Sequence, residues 1–103
     1  MVDSPLRHFG LIGHPVGHSW SARYFSEKWN QLGLENCRYT LHDLQQLDAL
    51  PDLWESRAWE GMNVTLPHKQ SILPFLDELS PEAEAIGAVN VVSFSNGQRM
   101  GHN

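Results

Sequence analysis

The sequence has few of the residues that would point to a secreted or membrane protein. Its 103 residues include a single cysteine, Cys37, so no disulfide can form within the chain and a reducing compartment is expected. No apolar run approaches the roughly 20 residues of a membrane-spanning helix, and Met1–His8 lacks the apolar stretch of a signal peptide. These absences predict a soluble, cytoplasmic protein with no membrane partner.

Basic residues are also scarce. Seven Lys and Arg against twelve Asp and Glu give a formal net charge of -5 at pH 7, which argues against nucleic acid as a partner. A small anionic ligand is not excluded, because such a ligand responds to local groups more than to net charge. Hydrophobic residues make up 41% of the chain, which is typical of one globular domain.

Two common kinds of site lack their sequence signatures. His14 and His18 are four residues apart, but the proline and glycine between them argue against a helical zinc pair, and no metal site is expected. The early glycines do not have the G-x-G-x-x-G spacing, and no ribose-binding acid follows in register. No cofactor-binding residue is therefore assigned in this chain.

The remaining pattern predicts an α/β fold. Strands are predicted over Phe9–Gly13, Cys37–Leu41, Gly61–Leu66 and Ala88–Phe94, and helices over Ser19–Leu32 and Ser80–Gly87. Gly33 and Gly87 are the predicted helix stops, and Ser80 is the predicted N-cap of the second helix. The first helix has one apolar face, formed by Ala22, Phe25, Trp29 and Leu32. Between these two helices, Leu44, Leu47 and Leu50 predict a short helix that Pro51 breaks, and Leu53-Trp54 is expected to begin another. Asn96-Gly97 favours a hairpin turn that returns Gln98–Gly101 antiparallel. The result is a three-layer α/β/α domain with a mostly parallel sheet and an antiparallel edge hairpin at its C-terminal end.

Three polar clusters fall where strands are predicted to end. In the first, Ser19 and Ser21 open a helix whose free N–H groups suit a carboxylate, although a serine N-cap alone would explain them. In the second, Asn63 and Thr65 point the same way from one strand. Lys69 follows, predicted in the first turn of a helix, a position that favours loss of its proton unless it is simply solvated.

The third cluster is an amide within an apolar run. Asn90 follows Gly87-Ala88-Val89 in the predicted last strand. A buried amide needs a hydrogen-bond partner, and either a neighbouring loop or a ligand would supply one.

Together these clusters resemble the N-terminal domain of the shikimate dehydrogenase family. His18-Ser19-Trp20-Ser21 matches the family's His-Ser-x-Ser loop. Asn63-Val64-Thr65-Leu66-Pro67-His68-Lys69 matches its Asn-Val-Thr-x-Pro-x-Lys motif, and Gly87–Asn90 matches Gly-Ala-Val-Asn. The three motifs occur in the family's order and at its separations.

The resemblance implies an activity and roles for these residues. In the family, 3-dehydroshikimate is reversibly reduced to shikimate with NADPH, in the shikimate pathway of aromatic amino acid biosynthesis. The implied substrate-binding residues are Ser19, Ser21, Asn63, Thr65, Lys69 and Asn90, of which Lys69 is also catalytic.

Departures from the family pattern occur in the first helix and at the end. Tyr24-Phe25-Ser26 replaces the usual Ile-His-Asn, Ala22 replaces a proline, and Val91 replaces a threonine. The motif Gly-x-Asn-Thr-Asp is represented only by Gly101-His102-Asn103. The aspartate partner of the lysine and the NADP-binding Rossmann domain are thus expected to lie outside residues 1–103, and this truncated chain is expected to be inactive alone.

Three other interpretations remain open at this level. The domain could accept quinate as well as shikimate. It could be a non-catalytic module that binds a hydroxylated cyclic carboxylic acid. It could also be a structural domain whose polar strand ends are incidental.

Overall fold

The computed structural model describes residues 6–16 and 20–103, with backbone alone for residues 20–22. Its strands are β1 (Arg7–Gly13), β2 (Cys37–Asp43), β3 (Trp59–Val64), β4 (Glu78–Leu79), β5 (Val91–Ser95) and β6 (Gln98–His102). Its α-helices are α1 (Trp20–Gln31), α2 (Leu50–Glu55) and α3 (Pro81–Ile86), and a 3-10 turn covers Leu73–Phe75. No helix in this part of the chain is long and apolar enough to cross a membrane.

The strands form one mixed sheet in the order β2-β1-β3-β5-β6-β4. β1 pairs in parallel with both β2 and β3, and β4 pairs in parallel with β6. β5 is antiparallel to β3 and to β6. The α/β class, the mostly parallel sheet and the antiparallel hairpin near the C-terminal end are confirmed. The outermost strand beyond the hairpin is the two-residue β4, which the sequence pattern did not predict.

Helices cover both faces of the sheet, as expected. On one face, Trp29 of α1 lies against Phe9, with the ring centroids 5.2 Å apart, and Phe25 packs on Trp29. On the opposite face, Trp54 of α2 donates a hydrogen bond to Met62 Sδ at 3.2 Å. The buried apolar core lies on this second face and comprises Ile12, Leu47, Leu50, Trp54, Trp59, Met62, Val64, Ile72, Ala83, Val89 and Val92.

Local end signals set the boundaries of α1 and α3 as predicted. Gly33 has a φ of 73°, and Leu34 N–H donates to Trp29 O at 2.8 Å, the pattern of a Schellman C-cap. Ser80 Oγ accepts from Ala83 N–H at 3.1 Å, and Gly87 ends α3 with a φ of 74°. Leu32, predicted on the buried face of α1, is 62% exposed instead.

Two predictions that relied on proline were wrong. Pro51 does not break a helix; it occupies the first turn of α2, where its missing N–H costs nothing. The helix expected at Leu53-Trp54 is present, but it begins at Leu50. Lys69 does not lie in the first turn of a helix, because residues 66–72 form successive turns after Pro67. The hairpin prediction was correct, with φ of 52° at Asn96 and 77° at Gly97.

Candidate functional site

A cleft of about 580 Å³ lies between α1 and the end of β3. It contains four of the polar residues singled out in the sequence: Asn63, Thr65, Lys69 and Asn90. The rest of its lining is Leu11, Tyr24, Phe25, Val64 and Val91. The structure therefore brings together an amide, a hydroxyl and an ammonium group from one motif and a second amide from another.

Thr65 is fixed at the end of β3 by the close approach of β1. Its N–H donates to Ile12 O at 2.8 Å. A Cβ added to Gly13 would lie 2.3 Å from Thr65 Cγ2 and 3.0 Å from Val16 Cγ1. Gly13 thus has a packing role: only a residue without a side chain lets Thr65 sit against β1.

The turns that carry Lys69 are anchored at both ends. His68 N–H donates to Thr65 O at 3.1 Å, and Lys69 O accepts from Val89 N–H at 2.8 Å. The His68 side chain is 4% exposed and its Nε2–H donates to Leu44 O. Lys69 itself is half-buried at the cleft. These contacts hold it in a turn, so it does not lie at the positive end of a helix dipole.

Asn90 reaches the cleft from a different position than predicted. It is exposed and precedes β5, so the expected burial of its amide is wrong. Its backbone links two strands, because Asn90 O accepts from Val64 N–H at 2.8 Å and Asn90 N–H donates to His102 O at 2.9 Å. Since β5 is antiparallel to β3, its start lies at the carboxyl end of β3, beside Thr65.

The side chains of the two serines of the first cluster are not among the described parts of the structure. Ser19 lies outside the described residues. The backbone of Ser21 belongs to the first turn of α1, and its side chain is not described. The carboxylate cradle predicted from this segment stays a prediction.

The sequence pattern missed a hydrogen-bonded pair, His14 and Asp43. His14 Nδ1 lies 2.6 Å from Asp43 Oδ1, and the hydrogen bond from His14, together with one from the Val16 backbone, holds the pKa of Asp43 below its usual value. His14 N–H also donates to Leu66 O at 3.0 Å. The pair joins the ends of β1 and β2. No local signal connects residues 29 apart, although parallel pairing of Gly13 with Asp43 brings them together.

The aromatic side of the cleft was also missed. Tyr24 and Phe25 line it, at the positions where the sequence departs from the family pattern. Behind them, Asn63 Nδ2 donates to Tyr39 Oη at 2.7 Å. The departure at Tyr24-Phe25 was an available signal, whereas nothing near Tyr39 in the sequence links it to Asn63.

Comparisons with known proteins agree with this geometry. The family described as shikimate dehydrogenase substrate binding domain matches residues 11–92. A shikimate dehydrogenase (NADP(+)) of Syntrophomonas wolfei subsp. wolfei is 44% identical over 99% of this chain and 36% of its own length. The structure of shikimate 5-dehydrogenase from Thermus thermophilus in complex with shikimate is 42% identical with a TM-score of 0.84, covering 95% of this chain and 38% of that one.

A structure with a different named activity is similar as well. The ligand-free 5-ketofructose reductase of a Gluconobacter species is 30% identical with a TM-score of 0.86, over 95% of this chain and 36% of that one. The chain thus spans little more than a third of the length of these relatives. Since the family match covers most of the chain, the protein belongs to the shikimate dehydrogenase substrate-binding domain family.

Proposed function

We propose that this chain is the substrate-binding part of an NADP-dependent shikimate dehydrogenase, which reversibly reduces 3-dehydroshikimate to shikimate. The observation that carries the proposal is the convergence of Asn63, Thr65, Lys69 and Asn90 on one cleft. Amide and hydroxyl groups suit ring hydroxyls, and a cation suits a carboxylate or an oxygen that gains negative charge. Ser19 and Ser21 complete this proposal as carboxylate-binding residues.

The proposed part of Lys69 is to hold or supply a proton. Its ammonium group would donate to the ring oxygen that becomes an alcohol, and would stabilise negative charge there. Asn63 and Thr65, two residues apart at the end of β3, would fix the ring by hydrogen bonds to its hydroxyls. The anchored turns of residues 66–72 keep these groups at constant separations.

The described part of the chain does not fit a dinucleotide. Gly10 and Gly13 belong to β1 and face side chains of His42 and Thr65, so they form no phosphate-binding loop. In the proposed enzyme, NADP would therefore be bound by residues other than those described. We also propose a cytoplasmic location, which the single unpaired Cys37 supports.

Titration of the 15N-labelled chain with shikimate tests the proposal. We expect amide shifts at Asn63, Thr65, Lys69 and Asn90. Lys69→Met should weaken binding by roughly 10- to 100-fold, because a hydrogen bond to a charged group is lost. Lys28→Met is the matched control, since Lys28 is the other lysine of the chain and lies exposed in the last turn of α1. Shifts that avoid the cleft, or equal affinity of the Lys69→Met variant, would contradict the proposal.

A second candidate ligand class comes from the structural comparison. The fold is shared with a 5-ketofructose reductase, an enzyme whose name gives a hydroxylated ketone, and not a cyclic acid, as its substrate. The same titration with 5-ketofructose and with quinate decides among them. Tightest binding of shikimate supports the first proposal, and tightest binding of 5-ketofructose supports the second.

A further inference from the structure

The side chain of Tyr39 reaches across a strand to the cleft. Tyr39 lies in β2 beside Phe9 of β1, and Asn63 lies in β3 beside Leu11 of β1. The two residues are thus separated by one intervening strand, yet Asn63 Nδ2 donates to Tyr39 Oη at 2.7 Å in a partly buried bond. Only a long side chain spans the roughly 10 Å between alternate strands.

The tyrosine ring is held in place by the aromatic cluster beneath α1. It stacks on Phe25, with centroids 5.1 Å apart and an interplanar angle of 26°, and lies 6.3 Å from the Trp29 ring. Phe25 also lines the cleft. The hydroxyl is therefore fixed at the far end of an immobilised ring, close to the amide that it contacts.

This contact gives the Asn63 amide one orientation. An asparagine amide carries a donor NH₂ group and an acceptor oxygen at similar positions, and it can present either by turning over. Tyr39 engages one of the two N–H donors of the amide, so the oxygen and the second N–H are held in fixed directions. A ligand hydroxyl suits this pair, because it can donate to the oxygen and accept from the N–H.

We propose that Tyr39 is a positioning residue that fixes the Asn63 amide and so makes the cleft specific for a ligand hydroxyl at that point. The proposal rests on the proposed function, since it assumes that Asn63 contacts the ligand. Tyr39 itself does not line the cleft, so it acts through Asn63 and not by touching the ligand.

The test is a double-mutant cycle read by shikimate binding. Tyr39→Phe keeps the ring stack and removes only the hydroxyl. We expect it to weaken binding roughly three- to tenfold, the size of one neutral hydrogen bond, and to have no effect in an Asn63→Ala background. Ser93→Ala is the matched control. Ser93 Oγ and His102 Nε2 form a partly buried hydrogen bond of 2.8 Å, and neither residue lines the cleft. Unchanged binding by Tyr39→Phe, or an equal loss in the Asn63→Ala background, would overturn the proposal.

A ligand-free measurement separates this proposal from the proposed function. In the unmodified chain, one NH₂ proton of Asn63 should be shifted and protected from exchange, and both effects should disappear in Tyr39→Phe. If shikimate does not bind the chain, the proposed function fails while this readout still decides the Tyr39–Asn63 contact. Identical Asn63 side-chain signals in both proteins would refute the positioning role.

Discussion

Single residues at the ends of the strands determine how closely the walls of the cleft approach one another. Gly13 is the clearest case, because the methyl group of Thr65 occupies the space where any larger side chain would begin. The hydroxyl of the same threonine is one of the groups proposed to bind the ligand. Packing and binding are thus coupled through two residues from neighbouring strands.

Gly13→Ala should destabilise the fold by about 1–3 kcal/mol, the usual cost of overpacking. The added Cβ would lie 2.3 Å from Thr65 Cγ2, so Thr65→Ser in the same chain should recover part of the loss. Gly61→Ala is the control: its Cβ would meet nothing closer than 3.5 Å, and we expect it to stabilise β3 by about 0.5–1 kcal/mol. Urea unfolding measures all three variants. Equal stability of Gly13→Ala and the unmodified chain would contradict the close approach.

The His14–Asp43 pair should make stability depend on pH. The hydrogen bond from His14 lowers the pKa of Asp43 in the folded state. The carboxylate therefore contributes stability above the unfolded pKa of about 3.9, and that contribution is lost as pH falls through the lower folded value. We expect Asp43→Asn to reduce the free energy of unfolding at pH 7 and to differ little from the unmodified chain in strong acid.

The control for this pH effect is Asp48→Asn, a change at an exposed carboxylate that forms no ion pair within the described part of the chain. Glu60 also has a lowered pKa, caused by the hydrogen bond from Arg7, so both variants keep some loss of stability in acid. The difference between the free energies of unfolding of the two variants, measured as a function of pH, isolates the contribution of Asp43. A difference that is constant from pH 7 to pH 2 would show that the pair does not contribute through ionisation.

At the scale of elements, the cleft is built on turns that tertiary contacts hold in place. The segment 66–72 has no regular helix of its own, and its one buried polar side chain, His68, donates to Leu44 O in the connection between β2 and α2. This contact ties the Lys69 turns to a part of the chain 24 residues away. The position of Lys69 thus depends on an element outside its own motif.

His68→Phe should cost about 1–3 kcal/mol, because it leaves the buried Leu44 carbonyl without its donor. It should also shift the NMR signals of Thr65 and Lys69, whose backbone bonds join the same turns. His8→Phe is the matched control, since His8 Nδ1 is buried and has no hydrogen-bond partner among the described residues, so its removal should be neutral or stabilising. Denaturant unfolding of both variants measures the costs. A His68→Phe chain as stable as His8→Phe would contradict the anchoring role.

The sequence predicted those helix ends and turns whose conformation is set by residues close to them in the chain. The Ser80 cap, the Gly33 and Gly87 stops and the Asn96-Gly97 turn were confirmed, because each conformation is set within a few residues. The helix expected at Lys69 was wrong, because Pro67 is followed by turns that His68 pins to a distant carbonyl. The grouping of Asn63, Thr65 and Lys69 was predictable from strand ends. The Tyr39 contact was not, because it requires the strand order β2-β1-β3.

At the scale of the whole molecule, the two faces of the sheet differ. The apolar core lies on the face covered by α2 and α3, whereas α1 contacts β1 and β2 and leaves Val91 of β5 37% exposed beside the cleft. Part of the cleft lining therefore faces solvent. Water competes for polar groups in an open cleft, which lowers the contribution of each hydrogen bond to the free energy of ligand binding.

This asymmetry predicts that the 103-residue chain binds shikimate weakly and does not oxidise it. Its described residues include Lys69, the group proposed to transfer the proton, but no phosphate-binding loop for NADP, and rate enhancement requires both reactants to be held in one geometry. We expect no NADPH absorbance above background when the chain is mixed with shikimate and NADP+, under conditions in which the NMR titration shows the cleft occupied. The Lys69→Met chain sets the background. NADPH formation by the unmodified chain at a rate above that of Lys69→Met would show that these residues bind the cofactor as well. It would contradict the proposal that they bind only the substrate.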